Sequence, residues 1–282
     1  NVKKLVNFNE LKIFQSALGQ HNIITFVEKG NHQEDVECCI TNRKGYADAN
    51  ILQSVVNWND KETNYFIIKG DRLYDSSGNI SFHEEDSILQ KMTNKQNYFM
   101  DKKDIGGGID ILQESVVDRH LEVDSSLEVG RGIFAVETQE IDRLGFSKDE
   151  LKLLKPYYTS EQIQKYRIKG ENHKWIIYTT KEIIKNIDEY PNVKAHFDRY
   201  KAIITSDNKP YGLHRPRVES QFKGEKLLSL RMTKEPCFTY ADFDTYVTRA
   251  YLTVQPTGLN YKYALALFNS KLYYYWLFNM GK

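Results

Sequence analysis

Arg215 and Arg217, separated by one proline in the stretch YGLHRPRV (211–218), form the densest loop-like cluster of hydrogen-bond donors in the chain. Pro216 fixes its own φ and biases Arg215 away from helix, so the spacing predicts an extended backbone that sends both guanidinium groups the same way. A guanidinium fork matches either a phosphate or the O6/N7 edge of guanine, and a good bidentate base contact is worth roughly 1–3 kcal/mol of discrimination. The bland alternative is a pair of surface or intramolecular salt bridges. His214 adds a donor beside them, although a lone histidine more often packs than catalyses. Arg231 and Lys234, in KLLSLRMTKEP, are predicted at the end of a strand and just beyond it. Lys155, Tyr157, Lys165 and Arg167 lie in LKLLKPYYTSEQIQKYRIKGENHKWIIY (151–178), where cationic heads sit beside flat rings. That mixture suits a phosphate backbone and the bases attached to it.

The charge distribution points the same way. Residues up to Leu151 carry 17 Lys+Arg against 26 Asp+Glu, whereas Lys152 to Lys234 carries 18 against 9, and 15 of the 19 tyrosines follow Leu151. The formal net charge of +1 therefore conceals a basic block. Such a block sets up a local field and is the usual footprint of a phosphate-rich partner.

Catalytic signatures are missing. The chain has no HExxH, no GxSxG, no Walker A motif, no adjacent prolines and hence no Asn-Pro-Pro-Tyr or Asp-Pro-Pro-Tyr tetrapeptide. Cys38, Cys39 and Cys237 offer neither a CxxC pair nor an even disulfide set, and read as buried reduced thiols. Scattered carboxylates such as Glu171 are what chance yields among 38 acidic residues, so no metal site is expected. No segment reaches the roughly 18 apolar residues of a membrane span, and NVKKLVNF lacks the features of a signal peptide. The expected location is the cytoplasm, and the initial Asn suggests a start inside a longer chain.

The elements that must position these residues are α+β. NIITFVEKG, with Ile23, Ile24, Phe26 and Val27, predicts a buried strand; ADANILQSVVNW and EEDSILQKM predict helices around strands in NYFIIKGDRLYDSSGNISF. Gly106, Gly107 and Gly108 predict a plain backbone turn, or a loop approaching a nucleic-acid backbone. Gly130 and Gly132 in LEVGRGIF lead into a β-like run, which excludes a nucleotide-binding glycine loop. Ser147 with Glu150 forms a capping-box pattern for a helix that must end by Lys155, ahead of Pro156, with Tyr157 and Tyr158 on the exit loop. SEQIQKY predicts a second short helix, and KEIIKNIDEYPNVKAHFDRYKAII two helical runs broken at Pro191. FTYADFDTYVTRAYLTVQP reads as β structure, and YKYALALFNSKLYYYWLFNM as one long helix apolar on nearly every face and therefore buried.

LVNFNELKIFQSALGQHNIITFVEKG, GRGIF, LKLLKPYYTSEQIQKY with WIIYT, HRPR and ALALFNSKLYYYWL occur in this order. The order resembles the C-terminal part of the Taq-type DNA adenine methyltransferases, and more narrowly the type IIG restriction-modification proteins. The resemblance implies that roughly the first 30 residues are the last strands of a Rossmann-like methyltransferase sheet. Residues 1–104 would then close the methyltransferase domain, and 105–282 would form a mixed α/β target-recognition domain that clamps double-stranded DNA. It further implies that Phe14 stacks on the target adenine after it is flipped out of the duplex. The S-adenosylmethionine and Pro-Pro motifs of the family, and any nuclease domain, would lie upstream. This chain therefore carries no cofactor of its own and is inactive alone. Two other readings stand beside this one: a separate DNA-specificity subunit, and a protein-interaction module that uses the aromatic C-terminal helix.

Overall fold

The computed structural model describes residues 1–14, 16, 21–30, 33–74, 78, 80, 87–93 and 98–280. The chain divides into two compact units, Asn1–Asn97 and Tyr98–Lys282, both of mixed α and β structure. Residues 98–104 belong to the second unit because Tyr98 donates to the Thr257 carbonyl at 3.0 Å and Thr257 donates to the Asp104 carboxylate at 2.8 Å.

In the first unit, four strands lie in the order Ile23–Val27, Val2–Asn7, Val36–Thr41, Thr63–Ile68. Val2–Asn7 runs parallel to Val36–Thr41, and the other two pairings are antiparallel. Alternation sends Leu5 and Cys38 into one apolar cluster and their neighbours Val6 and Cys39 into another, so both faces of the central strands are covered. Burial pushes the Cys38 thiol up to about 12 and the Cys39 thiol up to about 11, which keeps both unreactive at neutral pH. The helix Ala49–Val56 starts where expected, with the Asp48 carboxylate accepting from the Ile51 N–H at 2.8 Å, and packs Val55 onto the second cluster. One expectation is corrected: Ile23–Val27 is a strand, but all five residues are exposed. It is an edge strand paired on one side only, and its β-branched sequence reports strand propensity rather than burial.

The second unit holds two sheets that share a main core, and a second cluster of Leu227, Phe238, Val254 and Ala264 lies between the larger sheet and the helix Tyr261–Phe268. The larger has the order Ile163–Gln164, Tyr166–Ile168, Phe238–Ala241, Lys226–Leu230, Tyr251–Val254, Ile105–Gly107. The smaller has the order Tyr246–Val247, Leu154–Tyr158, Lys174–Ile177, Ala135–Glu137. Tyr157, Ile176 and Tyr246 of the smaller sheet join Leu228 and Tyr251 of the larger in a single cluster, which the helix Pro191–Tyr200 completes through Val193 and Phe197. Two helix starts beside this core are held by one side chain. Glu150 is fully buried and accepts from the N–H groups of Ser147, Asn192 and Val193 and from the Asn192 side chain, at 2.7–3.1 Å. Burial alone would raise its carboxyl, but the hydrogen bonds from Asn192, Ser147 and Val193 outweigh it and hold the group at about 2. The capping box read at Ser147 thus does more than start a helix: it clamps a second one.

Several local expectations in this unit are overturned. Tyr157 and Tyr158 lie on the Leu154–Tyr158 strand, not on an exit loop, because the capped helix Lys148–Leu151 is a single turn that stops before Pro156. SEQIQKY forms the short paired strands Ile163–Gln164 and Tyr166–Ile168 instead of a helix; pairing of Tyr166 and Arg167 with Thr239 and Tyr240 overrides local propensity. Gly106 and Gly107 lie in an edge strand paired with Tyr251–Val254, not in a turn. The C-terminal helix is broken into Tyr261–Phe268 and Lys271–Met280. At the break, the buried Asn269 amide accepts from the Phe238 N–H at 2.9 Å and donates to the Phe238 carbonyl at 2.8 Å, as a paired strand would. The expected burial is corrected too: among the described residues of the two helices only Ala264 is buried, while Tyr263, Leu272, Tyr274 and Phe278 are exposed.

Candidate nucleic-acid interface

A cleft of about 810 Å³ opens in the second unit where residues 109–114, the 248–250 segment, the end of Lys226–Leu230 with the two residues after it, and the 215–217 loop meet. Arg215, Arg217, Arg231 and Arg249 all line it, against two carboxylates, Asp110 and Glu114. Leu230 and Ile109 contribute an apolar part to the wall.

The arginines are hung on a continuous run of backbone hydrogen bonds. Gly108 donates to the Tyr251 carbonyl at 2.9 Å, Ile109 to Val247 at 2.8 Å, and Arg249 to Ile109 at 2.7 Å. Arg231 donates to the Ala250 carbonyl at 2.9 Å, and Asp110 and Arg215 exchange a pair of bonds at 3.0 and 3.2 Å. Three of the four arginines thus have their own amides fixed while their side chains stay exposed. This fixes where each guanidinium starts, which is the requirement for reading a shape.

Arg217 reaches the cleft by an unexpected route. Its φ is +68°, in the left-handed region that costs a non-glycine residue about 1–2 kcal/mol. The period-two extended geometry expected for Arg215 and Arg217 is therefore corrected. The Tyr178 hydroxyl, 3.1 Å from the Pro216 carbonyl and 3.2 Å from that of Arg217, stabilises the bend, and Arg217 Nε donates to the Gly108 carbonyl at 3.1 Å. The bond uses Nε, and among the described residues the two Nη groups make no hydrogen bond.

Two glycines make the arrangement possible. A Cβ on Gly107 would lie 2.8 Å from Arg231 Nη2 and 3.8 Å from Arg217 Cζ, so both guanidiniums rest over its bare backbone. A Cβ on Gly108 would lie 1.9 Å from the Thr248 carbonyl oxygen, so the two backbone segments touch there.

The carboxylates are differently placed. Glu114 Oε1 accepts from the Tyr157 hydroxyl at 2.7 Å, and this bond, with burial as the larger cause, keeps the phenol fully protonated. Asp110 is 7% exposed; its Oδ1 has no hydrogen-bond partner, and Arg249 Nη1 lies 3.4 Å from it. Among the described residues, Arg215, Arg217 and Arg231 form no ion pair within 4 Å. The cleft thus carries excess positive charge with forked donors in partly apolar walls, which suits bidentate recognition of phosphates or of guanine edges.

Of the residues singled out from sequence, the cleft brings together Arg215, Arg217 and Arg231. Tyr157 is 0% exposed, so it supports Glu114 from below and cannot touch a bound partner; its expected contact with DNA is corrected. Lys155 is half-buried and lies 3.4 Å from the Glu219 carboxylate, which also accepts from the Tyr246 hydroxyl. Lys165 stands over the Tyr166 ring and lines a separate cavity of about 560 Å³ with Lys271, Tyr274 and Phe278. Arg167 is exposed on its strand, and Lys234 is exposed beyond the strand end. His214 is tied to Asp207, its Nδ1 lying 3.3 Å from the carboxylate. Phe14 belongs to the first unit and is exposed. Sequence reasoning missed Arg249 and Asp110. The available signal for Arg249 was a lone cation interrupting the apolar pattern of TYVTRAYLTV.

Among the described residues no group of three or more His, Cys, Asp or Glu could hold a metal ion, and no helix is long and apolar enough to cross a membrane.

The sequence matches no protein-family model, and no curated protein matches it. Among solved structures, the type IIL restriction-modification enzyme MmeI in complex with DNA aligns with 99% of this chain and 32% of its own, at 12% identity and a TM-score of 0.47. The type IIG restriction endonuclease BpuSI aligns with 96% of this chain and 33% of its own, at 11% identity and a TM-score of 0.31. The chain spans about a third of the length of each.

Proposed function

We propose that this chain is a duplex-DNA recognition unit of the restriction-modification type, with the four-arginine cleft as its DNA-contacting surface. The observation that carries the proposal is the convergence of Arg215, Arg217, Arg231 and Arg249, from three separated stretches of sequence, on one rigid backbone frame. Surface arginines that serve only solubility have no need of a common frame, and here a left-handed residue is held in place to complete the set. The resemblance of the ordered sequence motifs to DNA adenine methyltransferases supports the finer reading. In that reading the second unit chooses the target, and the Val2–Asn7 and Ile23–Val27 strands close a methyltransferase sheet. Phe14, exposed and aromatic, would stack on the flipped adenine, a contact worth about 1–3 kcal/mol.

S-adenosylmethionine would be bound elsewhere in the intact protein. The glycine segments described here do not fit it: Gly106 and Gly107 form an edge strand, and Gly132 leads into the Ala135–Glu137 strand instead of opening a helix. No chemical step is therefore assigned to this chain.

The test is retention of a random-sequence duplex pool at several salt concentrations, followed by sequencing of the bound fraction. Salt-sensitive binding with enrichment of one short site is the expected result. Absence of binding at low salt would refute the proposal and favour a protein-interaction role for the exposed aromatic residues of the C-terminal helices.

A further inference from the structure

We infer that Arg249 is a base-reading residue of the cleft, positioned by Asp110 to recognise guanine, while Arg231 supplies charge to the phosphate backbone. This rests on the DNA-recognition reading above and assigns different tasks to arginines that the sequence does not distinguish.

The two jobs make opposite demands on an arginine. A phosphate contact needs net positive charge, and a nearby carboxylate cancels it. A guanine edge is neutral and offers two acceptors in one plane, so its reader needs a guanidinium held in a fixed orientation, and loses little when its charge is balanced. Arg249 meets the second demand. Its amide is fixed to the Ile109 carbonyl at 2.7 Å, its side chain is 69% exposed, and Nη1 lies 3.4 Å from the buried Asp110 carboxylate. The Asp110 backbone is anchored in turn: its N–H and carbonyl are both paired with Arg215. Its Oδ1 has no hydrogen-bond partner, so the free protein leaves part of that carboxylate's capacity open to a small turn of the Arg249 guanidinium. A turn that closed that bond would fix one edge of the fork and direct the remaining donors outward. Arg231 meets the first demand: it is exposed, rests on bare Gly107 backbone, and among the described residues has no carboxylate within 4 Å.

The test uses the whole chain and the random duplex pool, with four variants compared by enriched motif and by the slope of log K against log salt concentration. Arg249→Ala is expected to erase preference at a single G·C position, about tenfold or more in discrimination, with the salt slope nearly unchanged. Arg249→Lys, which keeps the charge and the fold but not the fork, is expected to lose the same preference. Asp110→Asn should blur that position and steepen the slope, because a previously balanced charge is released; a purely structural Asp110 would move neither readout. Arg231→Ala should keep the motif and flatten the slope by about 0.9. An Arg249→Ala protein with its motif intact and its slope flattened would make Arg249 a phosphate contact and overturn the inference, while the DNA-recognition reading would stand. Binding by the unaltered chain without any enriched motif would overturn the inference and cut the proposed function back to sequence-independent duplex binding. No binding by the unaltered chain would overturn both.

Discussion

Replacing Gly108 by alanine should damage the cleft far more than the same change one residue earlier. The new Cβ would stand 1.9 Å from the Thr248 carbonyl oxygen and 2.5 Å from its carbonyl carbon, both backbone atoms. Relief requires the 248–250 segment to move by more than an ångström. That segment accepts from Arg231 through Ala250 and donates to Ile109 through Arg249, so the frame shared by the arginines opens with it. Overpacking of this kind costs about 1–3 kcal/mol, and two weakened backbone hydrogen bonds add about 1 kcal/mol each. A total of about 3 kcal/mol would lower the melting temperature of a unit this size by roughly 6–12 °C. Gly107→Ala meets only the far end of the Arg231 side chain, at 2.8 Å, which can swing away. Stability should then change by no more than about 0.5 kcal/mol. The displaced guanidinium should nevertheless weaken DNA binding. Urea denaturation followed by circular dichroism, paired with fluorescence-anisotropy titration of a labelled duplex, separates the two effects. A Gly108→Ala protein as stable as the original, or a Gly107→Ala protein with undiminished binding, would refute the close-packed frame described here.

Three further predictions concern charge. Glu150→Gln should destabilise the second unit by about 3 kcal/mol in chemical denaturation, since a buried acceptor of four hydrogen bonds loses its charge. In the unaltered protein the unfolded carboxyl holds more proton than the folded one between the ordinary value of 4.5 and about 2, so stability should fall as pH falls through that window, and the variant should lack this loss. Lys226 is fully buried on carbonyl oxygens of Gly224 and Phe243, and burial lowers its ammonium to about 8. Between about 8 and 10.5 only the unfolded amine keeps its proton, so stability should rise with pH across that range, and Lys226→Met should flatten the rise in a melting series. Lys155→Ala should flatten the salt dependence of DNA binding by clearly less than the 0.9 or so of a free phosphate contact, because the Glu219 carboxylate, shared with Lys223, partly balances that ammonium; a full loss near 0.9 would mean that the pair opens on DNA.

Much of the second unit was legible wherever local chemistry decides structure. The Ser147–Glu150 capping box and the break between helical runs at Pro191 depend on backbone donors and on φ limits within a few residues, and both stand as read; the strand expected to end at Arg231 ends one residue earlier, at Leu230. The failures cluster where distant pairing wins. The 160–166 segment has helical composition but is drawn into a sheet edge by Thr239 and Tyr240, and the apolar C-terminal helix breaks at Asn269 because its amide satisfies the backbone of Phe238.

The candidate site divides along the same line. Sequence alone determined that the chain carries a basic, tyrosine-rich block, that Arg215 and Arg217 share a proline-restricted loop, and that Arg231 lies at a strand's end, within one residue of Lys226–Leu230, because composition, φ limits and strand period are local properties. Only the tertiary structure decided that these arginines face one cleft, that Arg249 joins them beside the buried Asp110, and that Tyr157 lies beneath the site instead of on it. Those facts depend on the approach of residues 107–110 to 247–251 and to 215–217, a packing made possible by two glycines whose missing side chains have meaning only once the opposing backbone is in place.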